Sequence, residues 1–374
     1  MSGERHQTGI QWTHVPGYRG ATWNPTTGCT RVSAGCDHCY AFELHDQRFA
    51  TQRKAAVEFA VGTGGHFTGA ARDIRLMREN GARLPFPAQY DVPFSTVQVL
   101  DEKRLTEPLR RRIPTAYFVD SMADLFHEEV PDEFLDRVFA VMALRPQHLF
   151  MVLTKRPSRM HDYLTRRDRD EAIGWAADTL YEEHGGDYSR VNLLLHFGIH
   201  GGPRGWPLPN VWLGVSVEDQ AAADERIPWL LDTPTAVRFL SCEPLLGAVD
   251  LMSIPYLISG YTEPPYDDRI DWVIAGGESG QHARLMDLAW ARSLRDQCAA
   301  AGVPFFMKQL GSRPTSTGWD GAASTLWPPD DFGLEGPWRR EGESYFRKLR
   351  NSHGADPEEW PEDLRVRQWP EVAS

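Results

Sequence analysis

Residues 22–41 read TWNPTTGCTRVSAGCDHCYA and carry three of the chain's five cysteines, Cys29, Cys36 and Cys39, spaced C-x6-C-x2-C. Gly28 and Gly35 stand immediately before two of them, where a loop bending around a compact ligand needs a residue without a side chain. A C-x2-C pair brings two thiolates to one metal centre, and a third thiolate from the same loop leaves a coordination position open. Structural zinc closes its shell with four ligands, whereas a reactive centre keeps one free. Iron–sulfur clusters are also held by cysteine thiolates, ordinarily four, so three imply an iron reserved for a non-protein ligand. Two other readings use the same residues. With His38 or His45 as fourth ligand the loop is a zinc knuckle; with no ligand the cysteines are free thiols. A disulfide framework is disfavoured by the odd count and the large size. Cys242, ending an expected strand, and Cys298, in an expected helix, read as small core residues.

Outward from this loop, short apolar runs alternate with amphipathic segments. Strands are expected over residues 21–23, 96–100, 116–120, 149–154, 211–217, 237–242, 272–275 and 304–308. Helices are expected over 132–143, 220–231 and 288–301, the last stopping at Gly302. Strand–helix alternation implies a parallel sheet, and eight strands imply a TIM-like or partial (β/α) barrel. An open α/β sheet is the alternative. Residues 1–311 then form the barrel, with an insertion at about 159–209 that elaborates it rather than making a second core. Residues 312–374 form a Trp/Pro-rich extension wrapping the barrel.

In a parallel barrel the active site forms where strands run out into the following loops. Here those ends are chemically rich: Asp120-Ser121-Met122-Ala123-Asp124, Thr154-Lys155-Arg156-Pro157, Ser216-Val217-Glu218, Ser241-Cys242-Glu243, Gly276-Gly277-Glu278 and Lys308-Gln309. The cysteine loop follows the first strand, so all of these would converge on one mouth.

Composition bounds the rest. The chain has 374 residues, 41% of them hydrophobic, enough for a sizeable core. It has no apolar run of about 18 residues and no apolar signal segment near its start, which makes a cytoplasmic protein the expectation. The net charge of -12 argues against a general polyanion-binding surface. Local basic stretches at 103–112 and 166–169 read first as solvated faces. In the extension, Trp319, Trp327, Trp338, Trp360 and Trp369 are interleaved with Arg339, Arg340, Arg347, Lys348 and Arg350. That pattern can stack bases and hold phosphates, although a packed wrap is the preferred reading.

The strings TWNPTTGC, SAGCDHCYA, DSMADLFHEEVP, LTKRP, VWLGVSVEDQ, RFLSCEPLLG, WVIAGGESG and PFFMKQLG resemble the three-Cys-motif proteins of phages and bacteria, a family of largely unassigned function. The likeness runs with interruptions over residues 10–311. That family resembles a divergent branch of the radical S-adenosylmethionine (SAM) enzymes. The loop pattern NP…GC…GC…CYA is similar to that of spore photoproduct lyase-like DNA repair enzymes.

The resemblance implies a 4Fe–4S cluster on Cys29, Cys36 and Cys39, with SAM bound to the fourth iron by its amino and carboxylate groups. An electron from a donor such as flavodoxin or ferredoxin would cleave SAM to methionine and a 5′-deoxyadenosyl radical, which takes hydrogen from a substrate. The cofactors supply the difficult chemistry, and the protein supplies position and exclusion of water. His38 and Tyr40, flanking Cys39, would lie near the cofactor, His38 where an aromatic ring commonly approaches the adenine. The implied substrate is a nucleobase in DNA or RNA, flipped out or single-stranded. A small molecule or peptide is the alternative substrate. A non-catalytic, zinc-binding, nucleic-acid-binding phage protein is the alternative class.

Two departures weaken the residue-by-residue transfer. The usual spacing is C-x3-C-x2-C, three residues shorter in the first gap. The usual Gly-Gly-Glu follows the second strand, whereas residues 276–278 lie near the seventh. Position around the mouth makes Asp120, Ser121 and Glu243 candidates for the SAM amino group. By the same reasoning Lys155 is a candidate for its carboxylate, and Ser216 and Glu218 for ribose hydroxyls. Glu278 and Lys308 are equally expected as an ion pair bracing the barrel.

Overall fold

A computed structural model describes residues 8–62, 88–187, 189, 206–252, 269–315, 338–341 and 344–371. Seven strands build one sheet: β1 (Arg19–Trp23), β2 (Thr115–Val119), β3 (Leu149–Thr154), β4 (Val211–Ser216), β5 (Val237–Cys242), β6 (Trp272–Gly276) and β7 (Phe305–Gln309). All pairings are parallel, and neighbours in the sheet are neighbours in the chain. The sheet is a curled half-barrel. Helix α1 (Tyr40–Gly62) follows the cysteine loop. α2 (Asp132–Ala143), α3 (Pro157–Thr165), α4 (Arg169–His184), α5 (Gln220–Asp232) and α6 (Leu288–Ala301) follow later strands.

Period-two alternation divides the strand residues between two cores. Tyr117, Val119, Phe150, Val152, Leu213, Val215, Leu240 and Val273 face outward and join side chains from α2 to α6 in one large cluster. Ile173, Ala177 and Leu180 of α4 belong to that cluster, so the described part of the 159–209 segment shares the barrel's core. Residues 190–205 of that segment lie outside the described residues. Ala116, Met151, Trp212, Phe239, Trp272 and Phe306 face inward, where none of the helices α1–α6 contributes to the described cluster. Gly214 leaves the inner face open for Phe239, whose ring atoms would lie 2.5 Å from a Cβ there.

The inner face is closed by the chain's two ends. Trp12, on a short turn over Gln11–Thr13, lies 4.7 Å from Phe118 and 6.2 Å from both Phe239 and Trp272 between ring centroids. Burying one tryptophan removes roughly 200 Å² from water, at most about 5 kcal/mol at ~25 cal/mol per Å². The Trp369 indole N–H donates to the Trp12 carbonyl at 3.0 Å. Along the free side of β7, Met307 N–H donates to Val366 O at 2.8 Å and Gln368 N–H to Phe305 O at 3.0 Å. The exposed strand edge is thereby covered.

The expected eighth strand is absent from this sheet. Of residues 96–100, only Gln98–Val99 pair, and they do so antiparallel with Thr26–Thr27 beside the cysteine loop. The run T-V-Q-V-L mixes Thr and Gln with its apolar residues, whereas a strand buried on both faces of a parallel sheet is apolar nearly throughout. β1 and β7 do not pair with each other, so the barrel is not closed by hydrogen bonds. Within the extension, Trp360 is buried and Trp369 packs on Phe306. Trp319 and Trp327 lie outside the described residues.

Candidate metal and cofactor site

A cavity of about 600 Å³ opens at the C-terminal ends of the strands. Cys29, Cys36, His38, Cys39, Tyr40, Asp120, Ser121, Lys155, Ser216 and Glu243 all line it. Glu218 does not. Ser216, Ser241 and Lys308 continue the inward-facing rows above the aromatic inner core, which explains why strand-end polar residues meet here.

The cysteine loop is held by side chains from four strand ends. After β2, Asp120 accepts from Thr26 N–H (3.1 Å) and the Thr26 hydroxyl (2.7 Å). Asn24 accepts from the Ser121 hydroxyl at 3.1 Å and from Met122 N–H at 3.0 Å. The Tyr40 hydroxyl donates to the Ser121 carbonyl. After β3, Arg156 donates to Thr30 O at 3.1 Å, to the Thr30 hydroxyl at 2.7 Å and to the Cys29 sulfur at 3.5 Å. After β4, Glu218 accepts from the Ser33 hydroxyl at 2.9 Å. After β6, Arg284 reaches Asp37 at 3.5 Å.

Two glycines make this docking feasible. Gly28 has φ +92°, and a Cβ there would lie 2.3 Å from Thr96 O. At Gly35 a Cβ would lie 2.2 Å from Glu218 Oε1. Thr30, Ser33 and Gly35 all fall in the long first gap of the cysteine motif. The lengthened gap therefore has a structural use: it carries the loop far enough to be gripped by β3 and β4.

Three thiols on one loop are a donor set that could hold a metal centre. Zinc–sulfur bonds of about 2.3 Å place tetrahedral thiolates roughly 4 Å apart. No three potential ligand atoms at this loop lie within 4.8 Å of one another; among the described residues only Glu102, Glu183 and His184 do. Cluster ligands bind different irons and stand further apart. α1 begins immediately after Cys39, and its positive end favours anionic sulfur. Burial, reinforced by Asp124, pushes the Cys29 thiol up to about 12 against the pull of Arg156, so metal binding there must displace a proton. His45 is not placed to close the site: it is fully buried, its Nε2 lies 2.9 Å from Val92 O, and it is absent from the cavity wall.

Several expected roles change in this geometry. Glu218, 1% exposed, is committed to Arg226 (2.8 Å), Lys155 (3.4 Å) and Ser33. Burial alone would raise its carboxyl, but Lys155, Arg226 and Ser33 hold it below the ordinary range. It is a brace rather than a group free to receive ribose. The Glu278–Lys308 pair does not form. Glu278 binds Arg284 at 2.6 Å, and Lys308 crosses to Glu243 at 2.5 Å. Gly276 lies between, its missing Cβ 3.4 Å from the Glu243 carboxyl carbon. Arg166 pairs with Asp132 and Asp136, and Arg169 with Asp170, so these are structural cations. Arg110–Arg112 precede β2 and lie at the end of the sheet opposite the cavity.

Asp120 is 3% exposed with φ 55°, an unusual backbone state for a residue with a side chain. Burial pushes its carboxyl up to about 8 despite the two Thr26 hydrogen bonds. The folded value exceeds the unfolded one near 4, so its stabilising contribution is full below about pH 4 and is lost as pH rises through about 8. Asp120→Asn preserves both hydrogen-bond positions without the charge. Its melting temperature should fall less than wild type's between pH 5 and 9, measured by circular dichroism. Equal pH slopes would show that Asp120 does not titrate in that window.

The strand-end pattern brought Asp124, Arg156 and Ser241 to the mouth without giving them roles, and it missed Ser33, which binds Glu218, and the tail residues Asn351 and His353, which line the cavity. Arg156 and Ser33 sat inside strings already singled out, but nothing in a string shows which loop lies opposite. His38 stacks on His282 at 6.2 Å, again a pairing across the mouth. No helix among the described residues is long and apolar enough to cross a membrane. A family model described as "Protein of unknown function (DUF5131)" matches residues 7–322. No curated protein and no solved structure matches the chain.

Proposed function

We propose, from the premise that the chain belongs to the DUF5131 family, that it is a radical SAM-type enzyme, with a 4Fe–4S cluster on Cys29, Cys36 and Cys39 and SAM in the adjoining cavity. One observation carries this reading. Three cysteines of one loop share a cavity with the ends of a sequentially ordered parallel half-barrel. We read that sheet as the partial barrel of this enzyme class. Bound there, the cluster and SAM would supply one-electron radical chemistry, and a flavodoxin- or ferredoxin-type donor in a cytoplasmic setting would supply the electron.

The chain's own residues have assignable tasks. Glu243 and Lys308 present a carboxylate and an ammonium 2.5 Å apart on the cavity wall. A zwitterionic amino-acid group can exchange into that pair, amino group to Glu243 and carboxylate to Lys308 or Lys155. Ser216 and Ser241 offer hydroxyls to ribose, and the His38–His282 stack offers a face for adenine. Trp12 and Phe118 seal the inner side against water.

For the substrate, the likeness to DNA repair lyases points to a nucleobase. A small molecule is the second reading, supported by the paired state of Arg166 and Arg169 and by the position of Arg110–Arg112 away from the cavity. Oligonucleotide binding that weakens steeply with salt separates the two.

The test is anaerobic purification with iron and sulfide analysis and electron paramagnetic resonance of the reduced protein. We expect about four irons per chain and a spectrum altered by SAM. Zinc in place of iron, or a cluster indifferent to SAM, would sink the proposal.

A further inference from the structure

We infer that Arg156 is a positioning residue that raises the reduction potential of the proposed cluster, through a charge-assisted hydrogen bond to the Cys29 sulfur; the inference rests on the reading of the cysteine loop given above. A guanidinium has five N–H groups in a fixed planar fork. Here every nitrogen has acceptors. Nε donates to Glu128 at 3.3 Å. Nη1 donates to Asp124 Oδ2 at 3.2 Å and to Cys29 Sγ at 3.5 Å. Nη2 donates to Thr30 O at 3.1 Å and Thr30 Oγ1 at 2.7 Å. With its donors so committed, the group cannot swing away from sulfur without breaking several bonds.

Its partners are fixed in turn. Asp124 also accepts from the Thr154 hydroxyl at 2.7 Å, Phe126 N–H at 3.1 Å and Lys155 N–H at 3.1 Å. Behind Thr30, its hydroxyl lies 2.9 Å from His127 Nε2. His127 Nδ1 accepts from Glu129 N–H, which assigns the proton to Nε2 and makes Thr30 Oγ1 a double acceptor. Arg156 is itself 6% exposed, so water does little to screen it. By contrast, Cys36 faces a neutral hydroxyl, Ser33 Oγ at 3.9 Å. The three sulfurs therefore differ: one carries a cationic donor.

Reduction adds negative charge to a cluster and its thiolates. A cationic N–H aimed at one sulfur stabilises the reduced form more than the oxidised form, and hydrogen bonds to sulfur are a principal means by which proteins set cluster potentials. Asp124 and Glu128 offset the guanidinium charge and are kept in the variants, so the variants isolate what the hydrogen bond from the cation to sulfur adds. Lysine offers a point charge without the planar fork, so it should replace the effect only in part.

The experiment is a redox titration of the full chain, reconstituted anaerobically and followed by electron paramagnetic resonance, for wild type, Arg156→Gln and Arg156→Lys. Iron content and thermal melting are measured in parallel. At the potential where wild type is half reduced, Arg156→Gln should show about a tenfold lower ratio of reduced to oxidised cluster, equivalent to about 59 mV for one electron. Arg156→Lys should fall between. A normally loaded Arg156→Gln with an unshifted midpoint overturns the inference and leaves the cluster standing. If Arg156→Gln loses iron, the Arg156→Lys midpoint decides in the same way. Loss of iron from both variants at unchanged melting temperature makes Arg156 a tether of the ligand loop and overturns the electronic role. A wild type without iron would instead overturn the underlying functional proposal.

Discussion

Cys36→Ala is expected to drop bound iron from about four per chain to below about one, while shifting stability by only about 1 kcal/mol. The asymmetry follows from the surroundings of the residue. Cys36 ends a short turn of the loop, and the hydrogen-bond contact of its sulfur, with Ser33 Oγ at 3.9 Å, is weak. Little packing is lost with the sulfur, but a cluster left on two thiolates has lost a third of its protein anchorage. Cys29→Ala and Cys39→Ala should behave alike, since the cavity wall brings all three to one site. Cys242→Ala and Cys298→Ala supply the internal control. Both residues are buried in the main core, so their replacement should lower the melting temperature and leave iron unchanged. Iron analysis beside thermal melts of the five variants decides the matter. Iron retained by Cys36→Ala would remove this cysteine from the ligand set.

The contrast between these two groups of cysteines was legible in the sequence, and the reason is local. A C-x2-C pair needs no knowledge of the fold to bring two sulfurs together, and Cys298 at an apolar helical position needs none to be buried. The strand ends were legible for a similar reason. Runs such as FMVLT and VWLGVS are apolar on both faces, as a covered parallel sheet requires, so the polar residues ending them mark the mouth. Pairings across the mouth were not legible. Lys308 on β7 and Glu243 after β5 meet over β6, and Arg284 takes Glu278 from within its own loop. Which carboxylate a lysine finds depends on strand curl, and no spacing encodes that. Helix α1 escaped notice because it is polar around most of its circumference and lacks a clear apolar stripe. The closing role of Trp12 and Trp369 escaped notice because the two residues are 357 positions apart and meet only after the sheet has curled.

The long first gap of the cysteine motif looked like a departure from its closest pattern. In the folded chain it is the segment that the β3 and β4 ends grip, through Thr30 and Ser33. This makes the brace under that gap as consequential as the ligands.

Glu218→Ala should be the most damaging single change in the site, lowering stability by about 3–5 kcal/mol because it strips a buried cation of its partner. Arg226 is 3% exposed, and its Nη1 reaches Glu218 at 2.8 Å and the Ser216 carbonyl at 2.8 Å. With the carboxylate gone, the guanidinium stays buried, and Ser33 loses the group that tethers the cysteine loop to β4. Glu218→Gln keeps an acceptor for Ser33 and should retain more iron than Glu218→Ala, although Arg226 still lacks its counter-charge. Gly35 provides the internal check. A methyl group there would press on the Glu218 carboxylate, 2.2 Å from Oε1 and 2.6 Å from Cγ, so Gly35→Ala alone should loosen the loop and release iron. Shortening Glu218 to alanine removes the obstructing atoms. The Gly35→Ala penalty should therefore shrink in the Glu218→Ala background, giving a coupling of about 0.5–3 kcal/mol in a double-mutant cycle. Denaturant melts of the four proteins measure that coupling. Strict additivity would mean that the loop does not rest on Glu218, and the brace would then serve the sheet alone.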